Sequence, residues 1–79
     1  MVEKKLNKLF LHILKLKKNI NFKKIRRISE KKWDSLAHVN LIVGLENEFN
    51  IKISASDAEN INSYKSAILI INEKRKNKR

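Results

Sequence analysis

Apolar residues recur at helical spacing in several stretches of this chain, with polar segments between them. Val2, Leu6, Leu9, Phe10, Ile13 and Leu16 fall on one stripe at the roughly 3.6-residue period of an α-helix, and lysines cover most of the opposite face. The pattern predicts a first helix from Val2 to Leu16. From Asn19 to Lys32 only Ile20, Phe22, Ile25 and Ile28 break a polar run. A connection this long is uncommon in a compact domain unless it is functional or pinned by its own apolar residues. A helical turn or two is expected within it, around Phe22 to Ser29.

Apolar periodicity returns in the segment WDSLAHVNLIVGLENEF, Trp33 to Phe49. Asp34 or Ser35 is expected to cap a second helix, with the other in its first turn. Leu36, Val39, Ile42, Val43 and Phe49 predict its buried stripe, widened by Leu41 and Leu45. Ile51 and Ile53 read as an extended turn that closes the end of the bundle. Ser54 or Ser56 then caps a short third helix ending near Ile61, and Ser56 with Glu59 fits an S-x-x-E capping box. Asn62 or Ser63 caps a fourth helix, buried through Tyr64, Ala67, Ile68 and Ile71. The tail from Lys74 to Arg79 has no apolar residue and is expected to fray. The fold class predicted is all-α: a small four-helix bundle with a long loop between helices one and two and a short third helix. One domain spans residues 1–73, followed by a basic disordered tail, 74–79.

Composition agrees with this reading. Seventy-nine residues suffice for one domain, and a chain of that size buries only about 60% of its unfolded surface. There is no proline and a single glycine, Gly44, so β-hairpin turn signals are missing. No cysteine is present, which excludes a disulfide staple and a thiolate metal site. The apolar stretch Leu9 to Leu14 is short, contains His12 and runs into Lys15, Lys17 and Lys18, unlike a signal peptide. No apolar run approaches a membrane span. A cytoplasmic, monomeric protein is the expectation.

Net charge is +11, unevenly spread. Residues 1–32 hold twelve Lys/Arg against two Glu, residues 33–73 two Lys against six Asp/Glu, and residues 74–79 five Lys/Arg. The basic charge therefore lies in the flanks of an acidic middle. Lys4, Lys5, Lys8, Lys15, Lys17, Lys18, Lys23, Lys24, Arg26 and Arg27 admit a second reading: a small basic helical protein that binds nucleic acid or an anionic membrane surface. No DNA-reading signature accompanies them, and aromatic content is low for stacking on single strands. Nucleic acid is not the expected partner.

The candidate chemistry sits at Asp34-Ser35-Leu36. A serine at a helix N-terminus exposes its hydroxyl where backbone N–H groups and the helix dipole favour negative charge. That setting suits a phosphodiester. Taken alone, the Asp-Ser pair reads as a simple cap. The ordered set around it reads differently: Leu45-Glu46-Asn47-Glu48-Phe49, then Ile51-Lys52-Ile53, then Asp57-Ala58-Glu59-Asn60-Ile61, then Tyr64 to Ile71. In that order and without a gap from Trp33 to Ile71, the chain resembles the acyl carrier proteins. The usual Leu-Gly ahead of the aspartate is absent.

The resemblance implies a phosphopantetheine-dependent carrier rather than an enzyme. Ser35 would bear 4′-phosphopantetheine, Asp34 would contact the phosphopantetheinyl transferase and its metal, and Leu36 would pack beside the arm. Without cysteine, the thiol for an acyl or aminoacyl thioester would come from that arm. Leu36, Val43, Glu46, Glu48 and Ile53 would meet the loading and acyl-transfer enzymes of fatty-acid or polyketide-type synthesis. Two positions where the family has acidic residues hold Ala37 and Asn40 instead, and Trp33 precedes the aspartate. Together these imply a stand-alone carrier for a specialised pathway. Trp33 itself is expected to anchor the loop over the core. His12 and His38 have no metal-ligand spacing and read as surface or partly packed residues. His38 lies one turn from Ser35, where it would influence charge near a phosphate.

Overall fold

The computed structural model describes residues 2–17 and 20–76. Four α-helices carry the fold: α1 (Val2–Leu14), α2 (Ser35–Phe49), α3 (Ala55–Asn60) and α4 (Tyr64–Lys76). Among the described residues there is no strand, and one short 3-10 turn, Phe22–Lys24, lies in the loop after α1. The expected all-α bundle with a long first loop and a short third helix is the structure observed.

The core is a single cluster. Leu6, Phe10 and Leu14 of α1 face Leu41, Leu45 and Phe49 of α2 and Tyr64, Ala67 and Ile71 of α4. Ile61 and Ile51 close its lower end, and Ile25 and Trp33 reach in from the long loop. Phe10 is its aromatic centre. Its ring meets Trp33 and Tyr64 edge-on, both at 5.4 Å between centroids, an arrangement that aligns ring edges with ring faces. The Tyr64 hydroxyl donates to Asn7 Oδ1. Burial, and secondarily the Glu3 carboxylate, raises the Tyr64 phenol above its ordinary value of 10.0.

The long loop is pinned by its own residues. Tyr64 N–H donates to the Ile25 carbonyl at 3.0 Å, and Arg27 N–H to the Asn62 carbonyl at 2.8 Å. The first of these bonds gives α4's first amide a partner, which the start of a helix otherwise lacks. Ile28, expected among the pinning residues, instead stands 90% exposed.

Several expected boundaries shift for local reasons. α1 ends at Leu14 rather than Leu16 because Lys15 adopts a left-handed conformation (φ 53°). Leu16 N–H then donates to the Leu11 carbonyl at 3.2 Å, a Schellman closure. Asn50 ends α2 in the same manner, at φ 52°. Ser54, not Ser56, caps α3: its Oγ accepts from Asp57 N–H at 3.0 Å. Ser63 caps α4, accepting from Ser66 N–H at 3.0 Å. α4 continues through Lys74, Arg75 and Lys76, beyond the point where the sequence suggested fraying. Cations suit a helix C-terminus, and Lys74 Nζ lies 2.6 Å from Asp57 Oδ2. The rest of the expected tail, 77–79, lies outside the described residues.

The largest correction concerns the face of α2. Its buried line is Ala37, Leu41, Leu45 and Phe49. Leu36, Val39 and Val43, expected inside, are exposed, while Ile42 is half-buried. The helix is apolar on most of its circumference, so periodicity alone had no polar face to measure against. Gly44 marks where α1 approaches: a methyl group built there would lie 3.1 Å from Leu9 Cδ2 and 3.4 Å from Ile13 Cδ1.

Candidate functional site

Asp34 is the N-cap of α2, with extended backbone (φ −88°, ψ −173°). Its Oδ1 accepts from Ala37 N–H at 2.8 Å, and its carbonyl takes His38 N–H at 2.9 Å. Ser35 is therefore the first helical residue and is relieved of the capping duty. It is exposed, and its hydroxyl bonds to no described residue. As the first two positions of the helix, Ser35 and Leu36 also keep amides without an intrahelical partner. A nucleophilic oxygen, two spare N–H donors and the positive end of a helix dipole thus occupy one exposed corner.

What holds that corner is a contact the sequence did not announce. The Trp33 indole N–H donates to His38 Nδ1 at 3.0 Å, and His38 Nε2 lies 2.9 Å from the Ala58 carbonyl. An indole nitrogen only donates and a carbonyl only accepts. The pair therefore fixes the neutral histidine with its proton on Nε2. The rings lie nearly parallel, 29° apart, with centroids 6.1 Å from one another. Through one imidazole the residue before Asp34 is tied to α2, and α2 to α3. His38 is turned inward by these bonds, away from the role near a phosphate expected of it. His12 is exposed. The expectation for Trp33 holds: it is 3% exposed against Phe10.

From Ser35 an outward stripe runs along α2. Leu36 is 71% and Val43 49% exposed, and Val39, Asn40 and Asn47 lie beside them at helical spacing and are exposed too. No charged side chain is on this stripe. The two glutamates expected to meet partners each also make a contact within the chain. Glu46 Oε2 accepts from Ile53 N–H at 2.7 Å, bracing the turn into α3. Glu48 leans toward α1, 3.8 Å from Lys5 Nζ. Ile53 is half-buried. Ala37, read from sequence as a surface position that had lost its acid, is 8% exposed and packs inward. Only Asn40 of that pair faces solvent. On the other side of Ser35, Lys15 and Lys32 line a shallow cleft with Asp34, Leu36 and Asn40, and Lys32 Nζ donates to the Lys15 carbonyl at 3.0 Å.

The sequence has counterparts among known proteins. No family model matches the chain. Individual proteins do: it is 39% identical over 75 residues, 95% of each chain, to an acyl carrier protein of Buchnera aphidicola subsp. Schizaphis graminum. The chain belongs to the acyl carrier protein family. An acyl carrier protein of Buchnera aphidicola subsp. Acyrthosiphon pisum is 36% identical over 73 residues, 92% of this chain and 91% of the other. One from Cyanidium caldarium is 47% identical over 45 residues, 57% of this chain and 52% of its own. Acyl carrier proteins are carriers and not enzymes. Among the described residues, no helix is long and apolar enough to cross a membrane.

Proposed function

We propose that Ser35 carries 4′-phosphopantetheine and that the chain tethers acyl or aminoacyl groups on it as thioesters. The observation that supports this best is the division of labour at the start of α2. Asp34 does the capping, and Ser35 Oγ is left exposed with no structural duty. The residues suit the group: Ser35 supplies the oxygen for the phosphodiester, and the unpartnered amides and helix dipole favour its charge. When bound, the arm supplies the thiol that a chain without cysteine lacks. Asp34 keeps its second carboxylate oxygen for the transferase and its metal. The chain's own work is positional, because a tethered substrate meets each enzyme at high effective concentration.

Leu36, Val39 and Val43 form the contact strip for transferase, loading and acyl-transfer enzymes, with Glu46, Glu48 and Ile53 at its margins. The absence of charge on that strip supports a specialised clientele over the general fatty-acid synthases. The second reading, a basic binding protein with no carrier role, has no use for a free serine in this register. In the test, the chain is loaded by a broad-specificity phosphopantetheinyl transferase and charged with an acyl group by an acyl-transfer enzyme. The acyl group should be released by hydroxylamine, as a thioester is. An acyl group that resists hydroxylamine, or one that attaches equally to Ser35→Ala, rejects the proposal.

A further inference from the structure

We propose that the loop between α1 and α2 docks on an anionic lipid bilayer, with Ile28 entering the membrane interface. Residues 20–32 hold Lys23, Lys24, Arg26, Arg27, Lys31 and Lys32 against the single acid Glu30. The ion pairs among the described residues, Lys5–Glu48 and Lys74–Asp57, take none of these six. Glu30 is itself engaged, its Oε2 accepting from Lys32 N–H at 3.2 Å. Five of the six cations are exposed and Arg27 is half-buried. In their midst stands Ile28, the most exposed large apolar side chain described.

Backbone hydrogen bonds hold this arrangement. Arg26 pairs with Ser63 in an isolated antiparallel bridge, Arg27 N–H is bonded to Asn62, and Ser29 and Glu30 N–H return to the Arg26 carbonyl. Ile28 is thus presented at the tip of a hydrogen-bonded turn. Cations near a bilayer are drawn to anionic headgroups, and an aliphatic tip adds the apolar contact that a basic patch by itself lacks. A nucleic acid fits less well. Its phosphates would satisfy the cations but leave Ile28 in water. Stacking calls for exposed aromatics, and here Phe22 is half-buried and Trp33 buried. Docking would bring Ser35, three residues beyond Lys32, close to the lipid surface. The inference stands whether or not Ser35 bears an arm.

The test is co-sedimentation of the full chain with vesicles of equal parts phosphatidylglycerol and phosphatidylcholine, and with pure phosphatidylcholine vesicles. Binding should require the anionic lipid and fall as salt shortens the Debye length from about 8 Å toward about 3 Å. Arg26→Gln with Arg27→Gln should weaken it about 25-fold, roughly fivefold per charge. Ile28→Ser should weaken it about tenfold, while Leu69→Ser, at an exposed aliphatic on α4, should change nothing. Equal binding to neutral vesicles, or an Ile28→Ser chain that binds anionic vesicles as well as the parent, overturns the proposal. So does a mixed-sequence oligonucleotide that binds more tightly than the vesicles and is indifferent to Ile28.

Discussion

His38 is held at both ring nitrogens, and that small fact controls how the start of α2 is built. Removing the ring leaves the Trp33 indole N–H buried without a partner. A buried unsatisfied donor costs about 1–3 kcal/mol. His38→Ala is therefore expected to lower the melting temperature and to shift the emission of Trp33, the only tryptophan, as water reaches it. An unchanged melt would show that the Trp33–His38–Ala58 bridge is not structural. Asp34 and Ser35 separate in the same way. Asp34→Ala should cost about 1 kcal/mol, the ordinary value of a lost cap, whereas Ser35→Ala should stay within about 0.5 kcal/mol. Sequence showed that one of the two caps the helix and that Trp33 sits over the core. It did not show which one, nor that His38 is Trp33's partner. Side-chain hydrogen bonds between elements leave no periodic trace, and Ala58 is twenty residues from His38.

Among the elements, α1 was readable because it has a clear polar face. Leu6, Phe10, Tyr64, Ala67 and Ile71 were expected in the core of α1 and α4, whereas Leu14, buried at the end of α1, was not. α2 was readable in extent but not in orientation, since Leu36, Val39 and Val43 are as apolar as Leu41 and Leu45. Function explains the ambiguity under the carrier reading: a helix that packs on one side and meets partners on the other is apolar on both. At the lower end, Phe49 and Ile61 should be costly to truncate, with Phe49→Ala and Ile61→Ala each losing about 2–5 kcal/mol. Chemical denaturation of both variants checks this, and parent-like midpoints would reject the packing. The Asp57–Lys74 pair joins α3 to α4. The Lys74 ammonium, and then the Ser54 hydroxyl, hold the Asp57 carboxyl below its ordinary 3.8. Asp57 in turn holds Lys74 above 10.5. A lowered carboxyl contributes stability above its unfolded value and loses it as pH falls through the folded one. A raised ammonium contributes below 10.5 and loses that contribution as pH rises through its folded value. Melts of Asp57→Asn should therefore differ from the parent near neutral pH and converge with it in acid, once the pH has fallen past the lowered carboxyl and Asp57 is protonated in the folded chain. A gap that persists in acid would mean that Asp57 acts through packing and not through charge.

Over the whole molecule, charge is unevenly divided. Its α2 strip is neutral, and its first helix and loop are strongly basic. Charge complementarity mainly governs encounter rate and partner choice. An enzyme that reads an acidic carrier through a basic patch should thus associate slowly with this one, most of all at low salt. Asn40→Glu with Asn47→Glu, both exposed on the strip, should speed that association. Equal rates for parent and variant would remove charge as the basis of partner choice. The basic flanks were visible in sequence, and so was the position of the serine. The fate of Glu46 and Glu48 was not, because their engagement by Ile53 N–H and Lys5 depends on how α2 is turned.

The central claim is that Ser35 Oγ is the attachment point, and intact-mass measurement with fragment localisation tests it most directly. After incubation with coenzyme A and a broad-specificity phosphopantetheinyl transferase, the chain should gain the mass of one phosphopantetheine, on the peptide containing Asp34-Ser35-Leu36. Ser35→Ala should gain none while keeping its helical signal and melt. An unmodified parent chain, or an arm found on any other residue, would contradict the account.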